Sequence, residues 1–120
     1  MLKEQRSYSR FSYEGNVVLK PEDATLRTIK ADLCDICYIG IGIFSPEIIE
    51  PGIHVKFELT IKLSNEPLIG EGRIVYAKEI QRDNSRAFRI GIEFINIDNR
   101  KIISLLSLIQ EDIIKARDRR

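Results

Sequence analysis

From Ile53 to Leu63 the chain alternates without a break. Ile53, Val55, Phe57, Leu59, Ile61 and Leu63 are apolar, and His54, Lys56, Glu58, Thr60 and Lys62 between them are polar. Successive side chains leave a strand on opposite sides, so a period of two marks a strand with one buried face. Ala87 to Phe94 repeats the pattern, with Phe88, Ile90, Ile92 and Phe94 on one face. Phe11, Tyr13, Val17 and Leu19 give a third such face, with Gly15 marking a bulge or a close approach. Weaker strands are expected over Leu26 to Leu33, Gly40 to Phe44 and Leu68 to Ile80. Turn chemistry separates them, as in Lys20-Pro21-Glu22-Asp23, Pro51-Gly52 and Ser64-Asn65-Glu66-Pro67. Isoleucine occurs 21 times against four valines, which suits strands.

After Asp98, a helix N-cap, the period changes. Ile102, Leu105, Leu106, Ile109, Ile113 and Ala116 fall at helical spacing, and Ile103 and Ile114 widen the stripe. Lys115, Arg117, Arg119 and Arg120 suit the negative end of the helix dipole, whereas Arg100 and Lys101 oppose the positive end. Six short strands with tight turns and one C-terminal helix predict an all-β fold, a barrel or sandwich rather than a parallel sheet. The apolar stripe of the helix must be covered, either by the barrel or by a second copy of the chain.

Composition narrows the function classes. The 120 residues fit one domain, with no internal repeat or linker. Lys plus Arg is 19 and Asp plus Glu is 18, which argues against gripping long nucleic acid through overall charge. The longest apolar or glycine run, Ile36 to Phe44, is nine residues, and a membrane-spanning helix needs about 20. The first residues, Met-Leu-Lys-Glu-Gln-Arg, lack the apolar stretch of a signal peptide, so the expected location is cytoplasmic. Cys34 and Cys37 are then reduced thiols.

Catalytic groups are hard to find. The single histidine, His54, lies on the polar face of the most regular strand. The Cys34–Cys37 pair lacks partners for a four-ligand zinc site, and it sits at a strand end rather than at a helix start. Gly40-Ile-Gly42 and Gly70-Glu-Gly72 lack the third glycine of a dinucleotide fingerprint. No serine sits in a nucleophile elbow. The expectation is a protein that is no enzyme and carries neither metal nor cofactor. A barrel for single-stranded nucleic acid would show aromatics on an exposed strand face, but Phe57, Phe88 and Phe94 fall on apolar faces.

Two clusters remain. Arg6-Ser-Tyr-Ser-Arg10 precedes the first strand. Its guanidinium forks suit phosphate and can stack on a base, although taken alone the segment reads as a solvated basic tail. Asp35-Ile-Cys37-Tyr-Ile-Gly40 lies between the second and third strands. A carboxylate there can accept from a ring N–H and an amine, the donor edge of guanine, and Gly40 allows close approach. Taken alone it reads as a connection whose Asp makes a turn bond.

Together, Arg-x-x-x-Arg before the first strand and Asp-x-Cys-x-x-Gly after the second resemble the PilZ domain, a six-stranded antiparallel β-barrel with a C-terminal α-helix. Pro51-Gly52, Gly72-Arg73-Ile74-Val75 and Gly91-Ile-Glu-Phe94 extend the resemblance. It implies a single domain over 1–120, with a mobile arginine-containing segment over 1–10, a barrel over 11–97 and a helix over 98–117. The implied function is that of a bacterial receptor for the second messenger cyclic di-GMP. The ligand-binding residues would be Arg6, Arg10, Asp35, Cys37 and Gly40. The family has serine where Cys37 stands. The implied partner is a protein of the motility or exopolysaccharide machinery, and a homodimer through the helix is a further arrangement. The alternative is a degenerate PilZ-fold interaction module that binds no nucleotide.

Overall fold

In the computed structural model, which describes residues 8–118, the expected strands form one closed barrel. They are β1 (Phe11–Ser12), β2 (Asn16–Pro21), β3 (Ile29–Ile36), β4 (Gly40–Ser45), β5 (His54–Thr60), β6 (Leu68–Arg82) and β7 (Ser85–Ile97), followed by the helix α1 (Asn99–Asp118). β1 and β2 pair with the same edge of β3, so together they are one strand broken around Gly15. All neighbours are antiparallel in the order β3-β2-β5-β6-β7-β4, and pairing of β4 with β3 closes the barrel at six strands.

The interior follows the alternation. Val17, Leu19, Val55, Phe57, Leu59, Ile90 and Ile92 are all buried. The helix supplies Ile102, Leu105 and Ile109 to the same core cluster. It lies at the barrel end where β2 and β6 begin and β5 and β7 finish, and there the Tyr13 hydroxyl donates to the Asp112 carboxylate at 2.7 Å. Asp98 caps the helix as expected, its Oδ1 accepting from the backbone N–H of Arg100 at 3.0 Å.

Several sequence expectations shift. Leu26 was expected to open a strand, but it is 90% exposed with φ at 50°. The preceding Asp23 accepts from the Thr25 N–H at 3.0 Å, and this local turn holds the chain out of the sheet. Leu63 lies past the end of β5 and is exposed rather than inward. Ile103, Ile114 and Ala116 are exposed as well, because the barrel mouth covers only a narrow stripe of the helix.

Candidate functional site

The strongest chemistry lies on the outside of the barrel wall. Across the sheet Asp35 stands opposite Gly42, Gly42 opposite Gly91, and Gly91 opposite Tyr76. Directly opposed residues of antiparallel strands share a face. The flanking Ile41, Ile43, Ile90 and Ile92 point inward, so this row points outward.

Two bulges create the row. Ala31 and Leu33 are buried, and strict alternation would bury Asp35 in the apolar interior with them. The register shifts between Leu33 and Asp35, so the extra residue Cys34 turns Asp35 outward. On β6, Ile74 faces inward opposite Ile92, and a second shift at Val75 turns Tyr76 outward opposite Gly91.

Asp35 is only 8% exposed even though it faces outward. Two arginines cover it. Arg10 Nη1 donates to Oδ1 at 2.7 Å and Arg89 Nη2 donates to Oδ2 at 2.9 Å. These charge-assisted bonds offset the cost of removing the carboxylate from water. A Cβ at position 42 would stand 2.5 Å from Asp35 Oδ1 and 2.6 Å from Arg89 Nη1, so a larger residue there would push the pair out of its present geometry. Beside it, Phe44 packs under Arg82, whose guanidinium carbon is 4.4 Å from the ring centroid and whose Nη1 reaches Asp32 at 2.7 Å.

Asp35 was expected in a turn and is instead within β3. The turn begins at Cys37, whose N–H donates to Gly40 O at 2.9 Å. Cys37 is 2% exposed and counts among the buried hydrophobic residues. A Cβ on Gly40 would collide with the backbone carbonyl of Ile92, which accounts for glycine there without reference to a ligand. Tyr8 stacks on Tyr38 with ring centroids 5.5 Å apart, which holds the segment before β1 against this turn. The structure thus brings Arg10 and Asp35 into contact and sets Cys37 and Gly40 in the adjoining turn. Arg6 lies outside the described residues.

Sequence reasoning missed Arg89, Gly42, Gly91 and Tyr76. A signal was present for three of them. Arg89 occupies an outward position between Phe88 and Ile90, and Gly42 and Gly91 are glycines at outward positions within isoleucine-rich strands, a mark of close approach.

These features define a small closed β-barrel with a helix over one end and its charged chemistry on the outer wall. The family model described as PilZ domain matches residues 4–111, and the chain belongs to that family. PilZ domains are non-catalytic receptor domains. Among solved structures, the chain is similar to the "PilZ domain with c-di-GMP of YcgR from Escherichia coli", with a TM-score of 0.76 and 16% identity, covering 95% of this chain and 98% of that one. It is also similar to the Bacillus subtilis inhibitor of motility MotI/DgrA, with a TM-score of 0.66 and 16% identity, covering 96% of this chain and 53% of that one. At these identities the likeness is one of fold. No curated protein sequence matches the chain.

Proposed function

We propose that this protein is a bacterial, cytoplasmic receptor for cyclic di-GMP that acts without catalysis. The observation that carries the reading is the Asp35 carboxylate held between Arg10 and Arg89 on the outer wall. Two cations share one anion there, which leaves positive charge for a phosphate. The carboxylate can accept from the N–H edge of guanine, which adenine lacks.

Arg10 is the more accessible partner of the pair, since its side chain is 49% exposed against 25% for Arg89. A guanine edge arriving at Oδ1 would displace Arg10, which would then turn to the ligand phosphate. Arg6 would join it, Cys37 would meet the ligand through its thiol, and Gly40 would keep the turn tight. In this reading, the ligand draws the arginine-containing segment over 1–10 across the barrel over 11–97, with Tyr8 and Arg10 already against the wall, and the helix over 98–117 stays in place. The new surface engages or releases a protein of the motility or exopolysaccharide machinery. The similarity to a motility inhibitor supports the first of these.

Calorimetry with cyclic di-GMP, cyclic AMP, cyclic GMP and GTP tests the proposal. Heat for cyclic di-GMP in clear excess over the other three is expected. Equal or absent heat for all four would favour the second reading, a PilZ-fold interaction module that binds no nucleotide. The observation behind that alternative is Cys37, buried where the family has serine.

A further inference from the structure

We propose that Tyr76 is a base-stacking platform on this outer wall, a ligand contact lying outside both sequence motifs. The inference rests on the receptor reading above and adds a residue to its specificity.

Three observations carry it. First, the side chain of Tyr76 lies down on the sheet. Its Cδ2, Cε2 and Cζ atoms occupy the space that a Cβ on Gly91 would need. One side of the ring therefore rests on the Gly91 backbone, while Tyr76 remains 43% exposed. Second, the guanidinium of Arg89 covers Gly42 in the same manner. Gly42 and Gly91 are directly opposed, with Cα atoms about 5 Å apart in such pairs. Phenol ring and guanidinium thus lie side by side on a floor of two glycines, with the Asp35 carboxylate at the far end of the row. Third, the bulge at Val75 places Tyr76 there, just as the bulge at Cys34 places Asp35. Strict alternation would have turned both side chains inward.

A planar heteroaromatic ring with N–H donors on one edge and an anionic group attached fits this row. Its face can stack on the phenol and the guanidinium, its edge can reach Asp35, and its phosphate can meet the arginines. A purine nucleotide has all three features. The competing account is purely structural. An aromatic ring laid across a facing glycine shields exposed backbone and stabilises a sheet, with no ligand involved.

The two accounts separate by experiment. Cyclic di-GMP affinity is measured by calorimetry for the unsubstituted protein and for Tyr76→Ala and Tyr76→Phe, alongside thermal melts of each. Stacking of one base on an aromatic ring predicts that Tyr76→Ala binds roughly five- to tenfold more weakly. Tyr76→Phe keeps the ring and is expected within about twofold of the unsubstituted protein. A Tyr76→Ala protein with unchanged affinity, whatever its melting temperature, would overturn the inference and leave the receptor reading intact. Equal weakening by Tyr76→Phe would overturn it too, because the hydroxyl rather than the ring would then carry the contact. Absence of cyclic di-GMP binding by the unsubstituted protein would overturn the receptor reading and this inference with it.

Discussion

Two arginine–carboxylate clusters sit in different parts of this barrel, and their stoichiometries are inverted. In one, the single guanidinium of Arg27 serves three acceptors. Nη1 reaches Glu47 at 3.0 Å, and Nη2 reaches the Ile48 carbonyl at 2.9 Å and Asp23 at 3.5 Å. It ties the β2–β3 connection to the β4–β5 connection at the end of the barrel away from the helix. In the other, one carboxylate, Asp35, serves two guanidiniums. Each cluster leaves one buried guanidinium nitrogen without a partner among the described residues, Arg27 Nε and Arg89 Nη1. The first cluster has an excess of negative charge and joins two loops, so it is a clasp. The second has an excess of positive charge on an open wall floored by glycine, where an anion can approach. Ion pairs of similar geometry thus differ in what they can do according to which sign is in the minority.

Ligand affinity gives the largest expected contrast between the two. Asp35→Ala and Arg10→Ala are each expected to weaken cyclic di-GMP binding by about 2 kcal/mol, since each removes charge-assisted bonds. Calorimetry reads that loss, and thermal melts should show the barrel still folded. The reciprocal test is Arg27→Ala, which should cost about 1.5 kcal/mol of stability in a denaturant titration, because it releases two loops at once. Its nucleotide affinity should be unchanged. If Arg27→Ala weakened binding as much as Asp35→Ala does, the distinction between clasp and site would collapse.

A smaller effect concerns the tie between the helix and the strand that follows Arg10. Burial, the hydrogen bond to Asp112 and the nearby carboxylates push the Tyr13 hydroxyl from its ordinary value of 10.0 up to about 12. The raised value means that its stabilisation is complete below about pH 10 and is lost as pH rises through about 12. Tyr13→Phe should therefore lower stability by about 1 kcal/mol near neutral pH, and the difference from the unsubstituted protein should vanish across that alkaline window. A difference independent of pH up to that limit would mean that packing, rather than the hydrogen bond, holds the helix.

The finest expected effect sharpens the boundary of the site. Cys37→Ser should tighten cyclic di-GMP binding by about 0.5–1 kcal/mol, because a hydroxyl is the better hydrogen-bond partner. Cys34→Ser, in the bulge, is the control and should leave affinity alone. Unchanged or weaker binding by Cys37→Ser would assign the buried thiol to packing of the turn.

Much of this architecture is written in local pattern. The faces of β5 and β7, the broken first strand at Gly15, the Asp98 cap and the Ile102–Leu105–Ile109 stripe all follow from spacings of two to four residues. Such spacings depend only on how side chains leave a strand or helix. The candidate site was legible in part for the same reason. Arg10 and Asp35 stand in short motifs, and motifs are local. Strand ends were less legible, since Leu26 and Leu63 have strand-like character that an Asx turn and the end of pairing at Thr60 override.

What sequence alone determined is which residues face inward along each regular strand, where the helix begins, and which short motifs the chain carries. Only the tertiary structure decided that Asp35, Gly42, Gly91 and Tyr76 form one row across four strands, with Arg10 and Arg89 closing on the carboxylate. Alternation specifies a face but neither a neighbour nor a register. Those are fixed when β1 pairs with one edge of β3, which brings Arg10 to Asp35 from 25 positions away, and when β4 closes the barrel between β3 and β7, which brings Arg89 to it from 54. The bulges at Cys34 and Val75 then reverse the local alternation, so the two side chains a strict pattern would bury are the ones presented on the outer wall.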